Sequence, residues 1–290
     1  MAGILHAFSI DVEDWYQSSY NPAAPVSKIC VHNTRSVLDF LSRHNVRGTF
    51  FVQGLVARKY PCLVREIHRK GHEIQSHGYS HRPVYLMTSK EFSRELTETG
   101  KRLEDITGKP VTGFRAPDFS INRKCFWAFD VMRQCGIKYD SSIFPLRTTR
   151  YGIRGFERGY SIIRTASGPI EELPVSVLEF AWPGQVRIPI GGGGYFRLFP
   201  AWVLRCGLLK LERQGLPFII YCHPYEFNSQ EWRQISKHVP RYRRLHQGLG
   251  RKGFQEKVAQ LFILRRFASM SDVLDQLRSS KGRKVCAFYS

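Results

Sequence analysis

The chain has 290 residues, of which 42% are hydrophobic and 13% aromatic, and its formal net charge is +20. This composition excludes an intrinsically disordered chain, and no segment approaches the roughly 20 apolar residues of a membrane-spanning helix. The length is typical of one large α/β domain or two small ones, and it is sufficient for a sizeable hydrophobic core.

Predicted strands and helices alternate along most of the sequence. The predicted strands are 6–11, 48–52, 73–75, 111–114, 137–139, 172–180 and 218–222. The predicted helices are 34–44 after an Asn33 cap, one around residue 61, 88–107 from a Thr88–Glu91 capping box, 122–135, 201–214, 254–267 and one from residue 271. A basic, glycine-containing insertion at 146–168 interrupts the series. Alternation of this kind is typical of a parallel sheet or (β/α) barrel.

The positive charge is concentrated at the C-terminal end. Residues 231–290 contain 14 Lys or Arg against four Asp or Glu, and so carry ten of the twenty net charges. Nucleic acid, an anionic membrane or an acidic polymer could each be attracted by such a surface. Tyr242 and Phe254 lie among its arginines, but no nucleic-acid-binding motif accompanies them. We therefore expect a solvated basic extension, 231–290, packed on a barrel formed by 1–230, and no nucleic-acid partner.

The cysteines and the N-terminal residues favour a cytoplasmic chain. The seven cysteines are an odd number, include no Cys-x-x-Cys pair and lie in several apolar segments, so we expect reduced thiols. The apolar run at 3–8 is too short for a secretory signal and leads directly into Asp11. Peripheral contact of the basic extension with an anionic membrane is compatible with this location.

Polar side chains stand at the end of almost every predicted strand. In a barrel they would share one face, which is where such barrels carry their sites. They are Asp11, His77, Arg115, Asp140, Glu172 and His223. His77 and His81 are four positions apart, so their imidazoles can reach a single metal ion, although two surface histidines would have the same spacing. With the acidic residues Asp11, Glu13 and Asp14 nearby, the set supplies ligands, a base and an acid, and it predicts a metal-dependent hydrolase.

Seven segments together resemble one known family. They are SIDVEDW (9–15), GHEIQSHGYSH (71–81), GFRAP (113–117), YDSSIFP (139–145), ELPVS (172–176), GGGYFR (192–197) and YCHPYEF (221–227). The chain resembles polysaccharide deacetylases of the NodB-homology superfamily, carbohydrate esterase family four, and most of all their exosortase- and exopolysaccharide-associated branch, which has a C-terminal extension. This resemblance implies a distorted (β/α) barrel of about seven strands and removal of N-acetyl groups from hexosamine units of a bacterial polysaccharide or a lipid-linked precursor.

The resemblance also implies residue roles. Asp11 would be the general base, held by Arg115, and His223 would be the general acid. His77 and His81 would bind Zn²⁺, Co²⁺ or another divalent transition metal, together with a carboxylate from the first segment. The backbone N–H of Asp118 would help to stabilise the oxyanion.

Several of these roles have more than one candidate residue. The family usually has adjacent aspartates, whereas Val12 and Glu13 intervene here, so we prefer Asp14 as the third ligand, with Glu13 as the alternative. Asp140 and Glu172 are both candidates for the carboxylate that tunes the acid histidine. Candidate substrate-contacting residues are Trp15, Tyr195 and Arg197. The alternative functions are hydrolysis of another linear or cyclic C–N bond, and non-catalytic binding of a polysaccharide.

Overall fold

A computed structural model describes most of the chain, namely residues 3–146, 148, 151–181, 186–231, 239–279 and 286–289. Its strands are β1 His6–Val12, β2 Thr49–Val52, β3 Glu73–Ser76, β4 Gly113–Phe114, β5 Tyr139–Asp140, β6 Ser161–Thr165, β7 Gly168–Glu172, β8 Val177–Phe180, β9 Val186–Pro189, β10 Ile219–Cys222, β11 Phe267–Ala268 and β12 Cys286–Tyr289. Its α-helices are α1 Trp15–Ser19, α2 Lys28–Arg43, α3 Gly54–Lys59, α4 Pro61–Arg69, α5 Ser89–Thr107, α6 Trp127–Gln134, α7 Gly193–Leu198, α8 Ala201–Arg213, α9 Arg241–Gly248, α10 Phe254–Leu264 and α11 Met270–Ser279. Among these helices, none combines the length and the apolar character that crossing a membrane would require.

Seven parallel strands form the centre of the molecule. Their order is β10-β1-β2-β3-β4-β5-β7, and β6 adds to β7 in antiparallel orientation. Every residue of β1 is buried, including the polar residues His6, Ser9 and Asp11. Because all seven strands run in one direction, their carboxyl ends meet at one edge, where the polar strand-end residues lie.

The chain closes this sheet between β7 and β10 with irregular segments. Ile219 N donates to Ser176 Oγ at 2.8 Å, and Tyr221 N donates to Gly191 O at 2.7 Å. At Gly192 a Cβ atom would lie 2.0 Å from the carbonyl oxygen of Tyr221, so only glycine permits this approach. The predicted distorted barrel of about seven strands is thus confirmed.

Several predicted elements differ from the structure. Helix α2 begins at Lys28 with Ser27 as its cap, and Asn33 lies inside the helix, where its amide donates to Glu231 at 3.1 Å. The predicted strand 172–180 is two strands, β7 and β8, because the chain leaves the sheet after Glu172, close to Pro174, whose ring cannot donate a ladder hydrogen bond. Part of the 146–168 insertion forms β6, which pairs with β7.

Residues beyond 231 contact the barrel directly. Strand β11 pairs with β1 in parallel, and the Phe262 ring of α10 lies 5.1 Å from that of Phe8. Arg251 Nη1 donates to the carbonyl oxygen of Tyr225 at 2.7 Å. The proposed domain boundary at 230 stays a prediction.

Candidate active site

A cavity of about 500 Å³ opens at the carboxyl ends of the parallel strands. Its lining comes from the ends of β1, β3 and β10, from the loop after β4 and from helix α9. The lining residues are Asp11, Glu13, Trp15, Ser19, His77, His81, Asp118, Phe119, Tyr151, Tyr221, His223, Tyr225, Tyr242, Arg243 and Gln247. The strand-end residues Asp11, His77 and His223, distant in sequence, therefore share one cavity, as the strand pattern predicts.

Glu13, His77 and His81 form a buried cluster at the inner end of this cavity. One potential ligand atom from each lies within 4.8 Å of the other two. Glu13 Oε2 contacts His81 Nε2 and lies 3.7 Å from His77 Nε2. Burial would raise the pKa of Glu13, but the two imidazoles hold it well below its usual range.

The donors of this cluster fit a divalent transition metal. His77 Nδ1 lies 2.9 Å from Arg115 O, and because a carbonyl can only accept, Nδ1 donates and Nε2 keeps its lone pair toward the cluster. Glu13 Oε2 is buried and lies within ion-pair distance of both imidazole Nε2 atoms. Two imidazoles and one carboxylate are a ligand set of catalytic zinc sites, which keep a fourth position open.

A tight turn after β3 positions His81. Gly78 has φ +69° and His81 itself has φ +67°, a left-handed conformation that is rare for residues with a side chain. The Glu95 carboxylate of helix α5 holds the turn by accepting from the N–H groups of Tyr79 at 2.9 Å and Ser80 at 3.1 Å. Strained backbone of this kind persists where surrounding contacts impose it, often at functional sites.

Asp14 does not join the two histidines, which corrects our preference for it over Glu13. Its Oδ1 accepts from the N–H groups of Tyr16 and Gln17 and caps helix α1. Its Oδ2 accepts from Ser27 N at 2.7 Å and from Ser27 Oγ at 2.5 Å. The carboxylate is thus committed to holding α1 and the start of α2 together.

Asp11 is paired with Arg115, as the resemblance implies. Arg115 Nη1 lies 2.9 Å from Asp11 Oδ1 and 2.8 Å from Ser9 Oγ. The other guanidinium nitrogens donate to the carbonyl and hydroxyl oxygens of Ser141 at 3.1 and 2.9 Å. The Arg115 side chain is fully buried and lies over the Phe51 ring, 4.3 Å from its centroid. This network fixes the guanidinium and neutralises the buried Asp11 carboxylate.

His223 has a carboxylate partner that the sequence reasoning missed. Its Nδ1 lies 3.7 Å from Glu226 Oε2, which also accepts from His223 N at 3.0 Å. Burial opposes a charged imidazole, but Glu226 and then Glu13 raise the pKa of His223 to about 9. The Tyr225 ring stacks on the imidazole with 4.7 Å between centroids. Among the described residues, the carboxylates within ion-pair distance of His223 are Glu13 and Glu226.

Asp140 and Glu172, our candidates for this tuning role, lie elsewhere. They are opposite each other on β5 and β7, fully buried, and Asp140 accepts from Ser142 Oγ at 2.6 Å. Burial raises the pKa of both carboxyl groups, and the neighbouring Asp140 carboxylate raises that of Glu172 further, well above its usual range. They form a carboxyl pair within the core near Arg115.

The other predicted contact residues divide into two groups. Trp15 lines the cavity, and so does Asp118, which has φ +54° and is followed by Phe119 at φ +49°. Arg197 and Tyr195 are not among the lining residues. Arg197 is buried, with Nε 3.1 Å from Glu226 Oε1, so it supports the carboxylate beside His223 instead of facing the cavity. Tyr195 lies partly exposed on α7.

Of the site residues that the sequence analysis did not name, Glu226 had a usable sequence signal and those of helix α9 had none. Glu226 follows His223 by three positions within a segment that the resemblance already included, so its position was a usable signal. Nothing local in Tyr242, Arg243 or Gln247 indicated that α9 would reach the cavity.

Comparisons with known proteins agree with this architecture. Residues 23–139 match the model of the polysaccharide deacetylase family, and residues 141–275 match a domain of unknown function, DUF3473. Peptidoglycan-N-acetylglucosamine deacetylase PgdA of Listeria monocytogenes is 35% identical over 91 residues, which are 31% of this chain and 20% of that protein. The match therefore spans about a fifth of the length of this curated relative.

Two solved structures share the fold over nearly the whole chain. A crystal structure described as a putative polysaccharide deacetylase from Mycobacterium smegmatis has a TM-score of 0.65 at 22% identity, covering 98% of this chain and 93% of that one. One described as a probable polysaccharide deacetylase from Pseudomonas aeruginosa PAO1 has a TM-score of 0.62 at 16% identity, covering 97% and 93%. Residues 23–139 thus match the polysaccharide deacetylase family, residues 141–275 match DUF3473, and the whole chain shares the fold of these two solved structures.

Proposed function

We propose that this chain is a metal-dependent N-deacetylase acting on hexosamine units of a bacterial polysaccharide or of its lipid-linked precursor. The observation that carries the proposal is the buried Glu13–His77–His81 cluster, which shares one cavity with Asp11 and His223. A carboxylate and an imidazole, each with its own buried partner, thus flank a set of three potential metal ligands.

Glu13, His77 and His81 would hold the metal ion, with Zn²⁺ or Co²⁺ as the expected occupant. When bound, such an ion supplies Lewis-acid polarisation of the amide and lowers the pKa of water. Hydrogen bonding of His77 Nδ1 to Arg115 O fixes the ligand tautomer, and the Glu95 contacts fix the turn that carries His81.

Asp11 and His223 would perform the two proton transfers. Asp11, which is paired with Arg115, would accept the proton of the attacking water. His223, whose pKa Glu226 and then Glu13 raise to about 9, would give a proton to the departing amine. The N–H of Asp118 is the proposed donor to the oxyanion, since the left-handed turn at 118–119 lies in the cavity wall.

Aromatic side chains in the cavity support a sugar substrate. Trp15, Tyr151 and Tyr225 line its wall, and aromatic faces pack well against the apolar faces of sugar rings. We also propose exopolysaccharide synthesis as the biological context, and peripheral contact of residues 231–290 with anionic lipid. Binding to anionic liposomes that weakens between low and high salt would support the contact, and salt-independent or absent binding would contradict it.

Acetate release from N-acetylglucosamine oligomers tests the activity. Purified protein would be assayed after chelation, after return of Zn²⁺ or Co²⁺, and as the His77→Ala variant. We expect metal-restored release that His77→Ala reduces by at least about 100-fold. Tyr195→Phe, a change outside the cavity, is the matched control and should retain activity. Binding of one metal per chain without acetate release from any acetylated glycan would contradict the deacetylase proposal and favour another C–N bond.

A further inference from the structure

Helix α9 supplies part of the cavity wall, although none of its residues has a role in the proposed chemistry. Tyr242, Arg243 and Gln247 line the same cavity as the Glu13–His77–His81 cluster. Tyr242 is 68% exposed, so this part of the wall lies at the mouth of the cavity. The basic C-terminal region therefore contributes directly to the surface that a substrate would meet.

The Arg243 side chain is exposed and lies beside two tyrosines. Its Cζ lies 5.4 Å from the centroid of the Tyr20 ring, and its Nε donates to Tyr242 Oη at 3.3 Å. The Tyr20 ring is itself stacked on Trp15, with 6.3 Å between centroids and an 18° interplanar angle. Trp15 also lines the cavity, so this series of rings connects the guanidinium to the cavity wall.

Arg243 differs from Arg115 and Arg197 because no described carboxylate pairs with it. Arg115 is paired with Asp11, and Arg197 is paired with Glu226. In the part of the chain that the structure describes, no carboxylate lies within ion-pair distance of Arg243, whose contacts are with aromatic groups. The cavity thus has a cation at its mouth that no described side chain neutralises.

We propose that Arg243 binds an anionic group of the substrate, so that the substrate is an acidic glycan. A guanidinium with free Nη groups is well suited to bidentate recognition of a carboxylate or a phosphate. The anionic group would belong to the residue next to the acetamido sugar. It is either a hexuronate carboxylate or the diphosphate of a lipid-linked precursor. The inference rests on the proposed deacetylase function for the identity of the sugar at the inner site.

Binding measurements on metal-free protein test the proposal without relying on turnover. The ligands are an oligosaccharide of alternating N-acetylglucosamine and glucuronic acid, its carboxyl-reduced neutral form, and a diphosphate ester of N-acetylglucosamine. We expect at least one anionic ligand to bind about 10- to 100-fold more tightly than the neutral form. Arg243→Gln should abolish this preference, whereas Arg241→Gln, which removes the same charge from an exposed position on α9, should retain it.

The two anionic ligands distinguish the sources of the charge. Preference for the uronate oligosaccharide indicates a polymer substrate, and preference for the diphosphate indicates the precursor. Equal affinity for anionic and neutral ligands, no binding of either anionic ligand, or equal loss of preference in Arg243→Gln and Arg241→Gln would overturn the subsite. Acid-selective binding without acetate release from any ligand in metal-loaded protein would support the subsite and contradict the deacetylase proposal instead.

Discussion

Replacing Glu13 or Asp14 by its amide should separate a metal ligand from a structural cap. Both side chains are buried, adjacent in sequence and acidic, so Glu13→Gln and Asp14→Asn each remove one charge with little change in volume. Glu13 lies against His77 and His81, whereas Asp14 accepts hydrogen bonds from Tyr16, Gln17 and Ser27. We therefore expect Glu13→Gln to weaken metal binding and Asp14→Asn to lower the stability of the fold, although each change replaces a carboxylate by its amide.

The expected magnitudes follow from these contacts. Loss of even a supporting partner costs about 10- to 100-fold in metal affinity, so loss of the Glu13 ligand should cost at least about 100-fold. Asp14→Asn keeps a good helix cap at Oδ1 but places an amide opposite Ser27 N. This leaves a part-buried donor unsatisfied and costs about 1 kcal/mol in unfolding free energy. For a domain of this size that is a fall in Tm of several degrees, about 2–4 °C per kcal/mol.

Calorimetric titration with Zn²⁺ and thermal unfolding of the metal-free protein measure the two effects separately. Glu13→Gln should weaken zinc binding and leave the apo Tm within a few degrees. Asp14→Asn should lower the apo Tm and retain zinc affinity within about threefold of the original protein. If Asp14→Asn weakened zinc binding by 100-fold and Glu13→Gln did not, the assignment of Glu13 would be refuted.

Three further predictions concern positions around the site. Glu226→Gln should lower kcat about tenfold at pH 8 and less at pH 6. The reason is that the pKa of His223 falls from about 9, so less of its acid form remains at pH 8. An unchanged pH–rate profile would exclude Glu226 as the group that raises this pKa. His72 has a pKa lowered to about 4 by burial, so protons bind the unfolded state preferentially between about pH 6.5 and 4. The unfolding free energy should therefore fall by up to about 3 kcal/mol as pH drops through this window, and His72→Asn should remove that part of the slope in denaturant titrations. Glu95→Gln should weaken zinc binding about 10- to 100-fold by loosening the turn before His81, and an affinity equal to that of the original protein would show that the turn is held otherwise.

The sequence was sufficient for the barrel and for seven of the fifteen residues that line the cavity. Buried parallel strands have nearly continuous apolar sequences, and a polar residue at the carboxyl end of each is therefore conspicuous. Asp11, His77 and His223 could be placed together because parallel strands deliver their ends to one edge, whatever their separation along the chain.

Only the tertiary structure decided which neighbouring polar groups contact one another. Glu13 and Asp14 are indistinguishable by composition, and the choice between them depends on the chain turning into α1 immediately after β1, which points one carboxylate to the histidines and the other to Ser27. Glu226 takes the place beside His223 that we had considered for Asp140 and Glu172.

The contacts of helix α9 and of Arg197 were likewise decided only by the tertiary structure. Whether an arginine faces a cavity or supports a buried carboxylate is set by side-chain direction and by packing between segments far apart in the chain. Periodicity reports which face of an element is apolar, but it does not report which distant segment covers that face. Local sequence thus determined the elements and the strand ends, and long-range packing determined the partners of each charge.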